Sequence, residues 1–268
     1  MVDLSVVVPA YNEENRLPRM LDETLSFLES RHKQPSTLPK DTPYRHKGDE
    51  FTYEIIIVDD GSSDGTTSCG LKYRKKYGDE KVRVITLEHN RGKGGAVREG
   101  VLAARGDFII FADADGASKF SDITQLEKFM FDNKDSKYLI AVGSRAHMEE
   151  EAVATRSLFR TILMKGFHFL VWTLCVRTIR DTQCGFKMFN RESAYLLFKS
   201  YHNESWAFDV ELLYIAEQIR CTIGEIAINW TEIEGSKIVP VFSWIRMGWD
   251  VLCLATLYHL GFHKLPCP

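Results

Sequence analysis

Four short segments hold most of the residues able to do chemistry. Asp113 and Asp115 stand one residue apart in Asp113-Ala-Asp-Gly116. Two carboxylates so spaced at a strand end, before a glycine, can converge on one hard divalent cation. Mg2+ or Mn2+ held in this way keeps open positions for phosphate oxygens; a solvated acidic turn is the plain alternative. A calcium loop fails, because it needs a ligand at Ala117 and a Glu at Thr124. Asn90-Arg-Gly-Lys-Gly-Gly-Ala96 sets Arg91 and Lys93 among glycines that open a helix, a plausible anion site. It matches neither dinucleotide fingerprint nor phosphate loop, which fail at Val97 and Gly94. Asp59-Asp-Gly-Ser-Ser-Asp-Gly-Thr66 and Pro9-Ala-Tyr-Asn-Glu-Glu14 complete the set, the first serving equally well as a turn and helix cap.

These segments are delivered by alternating strand and helix patterns. Strands are expected at Leu4–Val8 (stopped by Pro9), Tyr53–Val58, Val82–Thr86, Phe108–Ala112 and Leu139–Val142. Helices are expected at Leu17–Ser30, Thr66–Tyr77, Gly94–Ala104 and Ile123–Asp132. Near-continuous apolar strands separated by helices predict a mostly parallel α/β sheet covered on both faces. Ligands of such sheets bind beyond the carboxyl ends of the strands, where all four segments fall. Residues 31–50, with Pro, Lys, Arg and His, predict an exposed, mobile insertion. After Arg145 the pattern changes: 146–160 is charged, Ile162–Val176 is apolar, Phe208–Ile219 is helical, Ile223–Trp230 is strand-like, and Val239–Phe262 is rich in Trp, Leu and Val.

The 268 residues are 44% hydrophobic and 26% charged with a net charge of −3, enough for a large core and no basic field for nucleic acid. Uninterrupted apolar runs are too short for a spanning helix. A strand-like run straight after Met1 predicts no signal peptide. Six Cys without a C-x-x-C pair suggest neither zinc nor a disulfide framework, hence a reducing compartment.

V-V-V-P-A-Y-N-E-E, D-D-G-S-S-D-G-T, N-R-G-K-G-G-A and A-D-A-D-G resemble the nucleotide-sugar half of family 2 glycosyltransferases, which have the Rossmann-like GT-A fold. D-T-Q-C-G-F-K-M-F (181–189), W-A-F-D-V-E-L-L (206–213) and N-W-T-E-I-E-G-S-K (229–237) narrow the resemblance to the dolichyl-phosphate β-glucosyltransferases, near relatives of enzymes that use GDP-mannose. It covers about residues 4–250. The Q-x-x-R-W signature of processive polysaccharide synthases is absent.

The resemblance implies one GT-A catalytic domain over 1–268: a nucleotide-sugar half (1–145), an acceptor half (146–238) and a C-terminal membrane-associated helix (239–268). It implies a nucleotide pocket of Pro9, Tyr11, Glu13, Asp59, Asp60, Lys93 and Asp113. Asp113 and Asp115 would hold Mg2+ or Mn2+, with Asp115 the more direct ligand and Ala117 offering no third side chain. Arg145 would lie near the transferring phosphates, and Lys165 and Lys237 near the acceptor phosphate. The activity implied is glucose transfer from UDP-glucose to dolichyl phosphate with inversion, for protein N-glycosylation. The alternatives are a GDP-mannose or undecaprenyl-phosphate enzyme, a soluble nucleotidyltransferase, and a non-catalytic nucleotide- or lipid-binding module.

A phosphate acceptor, with a second pKa of ~6, is largely ionised at pH 7 and needs positioning more than a base. Asp209 is the candidate base, its other role being to orient a cation. A lipid acceptor requires membrane contact. Phe167–Val176, about 15 Å as a helix, suits an amphipathic helix lying in the interface, as does the Trp244 and Trp249 segment; burial in the core is the competing role. The expected place is the cytosolic face of the endoplasmic reticulum membrane. There the sequons at Asn203 and Asn229 stay unmodified, and the family's N-terminal anchor is expected to be absent from this sequence.

Overall fold

The computed structural model describes residues 2–34, 36, 38–44, 51–148, 166–167, 169–233 and 242–266, with backbone alone at 242–245. The elements are β1 (Val2–Ala10), α1 (Leu17–Lys33), β2 (Tyr53–Asp59), α2 (Thr66–Tyr77), β3 (Val82–Thr86), α3 (Gly92–Leu102), β4 (Gly106–Ala112), α4 (Ile123–Asp132), β5 (Leu139–Ser144), β6 (Phe186–Asn190), α5 (Arg191–Ser200), α6 (Phe208–Gln218), β7 (Thr222–Ala227) and α7 (Phe242–His259).

The strands form one sheet in the order β3-β2-β1-β4-β6-β5-β7. All neighbouring pairs are parallel except those of β6, which runs antiparallel to β4 and β5. β5 therefore points the same way as β4, and the carboxyl ends of six strands meet the amino end of β6 at one edge.

Period-2 alternation supplies two cores. Val7, Ile56, Val58, Ile109, Phe111, Ile140, Val142 and Phe189 face α3, α5, α6 and α7. Val6, Val8, Ile55, Ile57, Ile110, Ala112, Ala141, Phe186 and Met188 face α1 and α4.

Several boundaries and placements depart from expectation. β1 continues through Pro9 to Ala10, because its pairing with β4 ends at Val7 and only the β2 ladder extends to that point. β6 was not foreseen as a strand. The 31–50 stretch is not merely an exposed insertion: its first residues complete α1, and Tyr44 is 5% exposed. The Tyr44 hydroxyl donates to Glu127 at 2.6 Å, within a buried pair formed by Glu127 and Arg31. Residues 169–174 are helical and, like α7, have a buried face (Val171; Met247, Val251, Leu254, Tyr258) opposite exposed apolar residues. Each segment thus has one face in the core and an exposed apolar face opposite it.

Candidate active site

β4 ends at Ala112 and hands the chain to Asp113 and Asp115. The Asp113 N–H donates to the Gly185 carbonyl at 3.1 Å, which fixes the loop against the start of β6. A Cβ on Gly185 would collide with the Asp113 carboxylate, so glycine is what lets the two strand ends approach. Lys93 Nζ lies 2.7 Å from Asp113 Oδ1 and 5.9 Å from the centre of the Trp206 ring. Burial opposes the Lys93 charge, but Asp113, Asp209 and Asp115 together raise its pKa.

Asp115 Oδ1 accepts the Ala117 N–H at 2.9 Å, a bond that orients the carboxylate. Burial, then the neighbouring Asp113, raise the Asp115 pKa. Like-charged carboxylates held together against their own repulsion are a donor set suited to Mg2+ or Mn2+, which would relieve that repulsion.

The glycine-rich segment works differently from the expected anion site. The amino end of α3 is filled from within: Asp60 accepts the Arg91 N–H at 2.7 Å and the Gly92 N–H at 2.9 Å. Burial raises the Asp60 pKa against those two bonds. Arg91 pairs with Glu99 and Glu204, each at 2.6 Å, which leaves Lys93 as the cation directed to the acids. Gly92 has a φ of +86°, and a Cβ there would lie 2.6 Å from the Glu204 carbonyl oxygen. Its role is close packing of two loops.

At the first two strand ends, Asp59 is fully buried and accepts from the Ser62 N–H at 2.9 Å and from the Thr67 hydroxyl. Glu13 is gripped by Arg16 at 2.5 and 2.6 Å and its N–H donates to Thr66 at 2.8 Å. Tyr11 is exposed. Pro9, Tyr11, Glu13, Asp59 and Asp60 therefore wall one side of the edge. Arg16, absent from the sequence reading, feels the field of both Asp113 and Asp115.

β5 delivers Arg145, whose guanidinium makes two bonds to Asp181, at 2.8 and 2.9 Å, and lies 5.4 Å from the Trp230 ring centre. Burial works against Asp181 ionisation, but Arg145 holds its pKa below the ordinary range.

Asp209 is 3% exposed, with Lys187 Nζ 2.5 Å from its Oδ1. The same ammonium donates to the Cys184 carbonyl at 2.7 Å. That is the arrangement of a carboxylate orienting a cation, and burial raises its pKa. Lys187 and Gly185 belong to the D-T-Q-C-G-F-K-M-F run, but no spacing announced their partners. Lys165 and Lys237 lie outside the described residues.

The family model described as glycosyl transferase family 2 matches residues 5–198. Dolichyl-phosphate beta-glucosyltransferase of Homo sapiens is 57% identical over 264 residues, covering 98% of this chain and 78% of that protein. The protein of the same name from Saccharomyces cerevisiae is 44% identical over 272 residues, covering 97% and 76%. Among solved structures, glucosyl-3-phosphoglycerate synthase from Mycobacterium tuberculosis, in complex with Mn2+, UDP-glucose and phosphoglyceric acid, superposes with a TM-score of 0.60. It is 19% identical and covers 97% of this chain and 80% of that one, a likeness of fold. The acids gathered at one sheet edge thus sit in a known architecture, and the near-complete coverage at high identity makes this chain a member of glycosyl transferase family 2, in its dolichyl-phosphate β-glucosyltransferase branch.

Proposed function

We propose that the protein transfers glucose from UDP-glucose to dolichyl phosphate, releasing UDP and giving dolichyl β-D-glucosyl phosphate for protein N-glycosylation. The identity of 57% to the human enzyme over nearly the whole chain carries this reading.

An oxygen of the acceptor phosphate attacks the anomeric carbon while the bond from that carbon to the UDP β-phosphate oxygen breaks. A single in-line displacement inverts α to β. The acceptor arrives ionised, so no proton need be removed from it. Asp113 and Asp115 would hold Mg2+ or Mn2+, which when bound would neutralise charge on the leaving diphosphate. Lys93, kept charged by Asp113, adds a fixed positive charge to the same edge, as does Arg145, oriented by Asp181. Asp209 acts through Lys187 as a positioning group, and Lys165 and Lys237 are proposed to meet the acceptor phosphate.

Labelled UDP-glucose, UDP-GlcNAc and GDP-mannose, each offered with dolichyl phosphate and either metal, test the assignment. Counts entering the lipid phase from UDP-glucose alone are expected; transfer from GDP-mannose instead would overturn it.

Gly185→Ala tests the site geometry. Its methyl group must displace the Asp113 carboxylate, and a shift of about 1 Å can cost ~100-fold. We expect kcat to fall about 10- to 100-fold with little change in Tm. Wild-type turnover would show that the Asp113 position does not matter.

The reading extends to the cytosolic face of the endoplasmic reticulum membrane. Among the described residues no helix is long and apolar enough to cross a bilayer. Phe169, Trp172, Trp249 and Leu252 are nonetheless exposed, on two helices whose other faces join one core, and Phe262 is exposed just after the second. Aromatic and aliphatic groups so placed suit interfacial insertion. Trp172→Glu and Trp249→Glu should each reduce co-sedimentation with phospholipid vesicles about tenfold, with Tm nearly unchanged because both side chains are exposed. Undiminished sedimentation in both variants would remove these helices from the membrane contact. On that face the sequons at Asn203 and Asn229 remain unmodified.

A further inference from the structure

A second group of titratable side chains lies apart from the nucleotide edge, where the loop between α5 and α6, the body of α6 and the segment after α7 meet. Glu211 is fully buried. Three uncharged donors fix its carboxylate: Oε1 accepts the His202 N–H and the Tyr258 hydroxyl, each at 2.9 Å, and Oε2 accepts the Asn203 N–H at 2.7 Å. Among the described residues no Lys or Arg pairs with it; its ion-pair partners are His202 Nδ1 at 3.1 Å and His263 Nδ1 at 3.9 Å. A buried carboxylate lacking a permanent counter-charge is costly until a proton or a cation balances it.

The second observation is independent of the first. His263 Nδ1 is buried and makes no hydrogen bond in the structure. A bound cation supplies what both groups lack, a counter-charge for Glu211 and a partner for the imidazole lone pair.

The geometry points to a divalent-cation site formed by His202, Glu211 and His263, of the class that imidazole and carboxylate together select, with Zn2+ preferred over Mg2+. The three ligand atoms lie within 4.8 Å of one another. Tetrahedral ligands at ~2.0–2.1 Å from zinc are about 3.3 Å apart, near the 3.1 and 3.9 Å separations of the two Nδ1 atoms from the carboxylate oxygen. The two rings are stacked, centroids 3.9 Å apart at 17°, with both Nδ1 atoms toward one oxygen; coordination turns them out of the stack. The Tyr258 hydroxyl and the two backbone N–H groups are the outer bonds that aim the carboxylate. Burial and the adjacent His202 lower the His263 pKa, favouring the neutral form that binds metal. Such an ion clips the end of α7 to α6, a structural role separate from sugar transfer.

The test uses the full chain, stripped with EDTA and returned to chelator-free buffer with excess Mg2+. Zn2+ alone is titrated by calorimetry, with thermal unfolding in parallel. One Zn2+ per chain at micromolar affinity or tighter is expected, with a Tm rise of several degrees. His202→Ala and His263→Ala should each weaken binding at least tenfold and remove the Tm rise, whereas Asp115→Asn should leave both intact. Glu211→Gln endangers folding, so the two histidine variants decide. Absence of stoichiometric binding, binding that both histidine variants retain, or binding lost in Asp115→Asn would each overturn the inference.

Discussion

Asp115→Asn should lower kcat about a thousandfold or more without harming the metal-free fold. The amide is nearly isosteric with the carboxylate, and its oxygen can still accept the Ala117 N–H that Asp115 accepts at 2.9 Å. What disappears is one anionic donor of the pair. A thousandfold is about 4 kcal/mol of transition-state stabilisation, in the range ascribed to one preorganised electrostatic group.

Stability separates this effect from damage. Burial and Asp113 raise the Asp115 pKa above its ordinary value of 3.8. A carboxyl with a raised folded-state pKa binds more protons folded than unfolded, so its contribution to stability is present below the unfolded value and is lost as pH rises through the folded one. At neutral pH without metal, ionised Asp115 therefore costs stability, and the amide removes that cost. The variant's metal-free Tm should equal or exceed the wild type at pH 7, the difference closing toward pH 4. Wild-type activity at limiting metal should fall with acid over the same interval, as protonated Asp115 gives up the ion. Near-normal turnover of the variant, or wild-type turnover that survives EDTA, would sink the assignment of Asp113 and Asp115 as metal ligands.

The features that positioned these acids were largely legible because they are local. Strand runs such as Ile55–Val58 and Ile109–Ala112 are apolar on both faces, which only a covered sheet tolerates, and their carboxyl ends had to share an edge. β6 escaped notice because it is five residues long and carries Lys187 at its second position and Asn190 at its end, which break the apolar pattern. Direction is equally invisible to periodicity, yet the reversal of β6 is what brings Gly185 against Asp113. Tyr44 was misplaced because a Pro- and Lys-rich composition correlates with exposure without enforcing it; its hydroxyl found Glu127, 83 residues away. The roles of Arg91 and Lys93 could not be told apart from sequence, since the difference lies in Glu204 capturing one and Asp113 the other.

The largest effect on stability is expected at one of these concealed pairings. Lys187 is fully buried, donates to Asp209 and to the Cys184 carbonyl, and lies 5.2 Å from the Phe111 ring centre. Lys187→Met keeps the bulk and deletes the charge, leaving a buried carboxylate with no partner at that distance. Breaking a buried pair from one side costs about 3–5 kcal/mol, a large part of the ~5–15 kcal/mol that holds a domain folded. At roughly 2 °C per kcal/mol for a chain of this size, Tm should fall about 6–10 °C. Burial already raises the Asp209 pKa, and loss of Lys187 raises it further. By the same sign rule the deficit should be greatest at neutral pH and shrink as the buffer is acidified and Asp209 takes up a proton. Lys187→Met combined with Asp209→Leu removes both charges and should recover most of the lost Tm. It should not recover kcat, because the Cys184 carbonyl has lost the ammonium that holds the turn placing Gly185 beneath Asp113, and Lys93 has lost the field of Asp209. A double variant no more stable than the single one would show that the pair is not what the single change disrupts. Full turnover in the double variant would show that the brace does not position the acids.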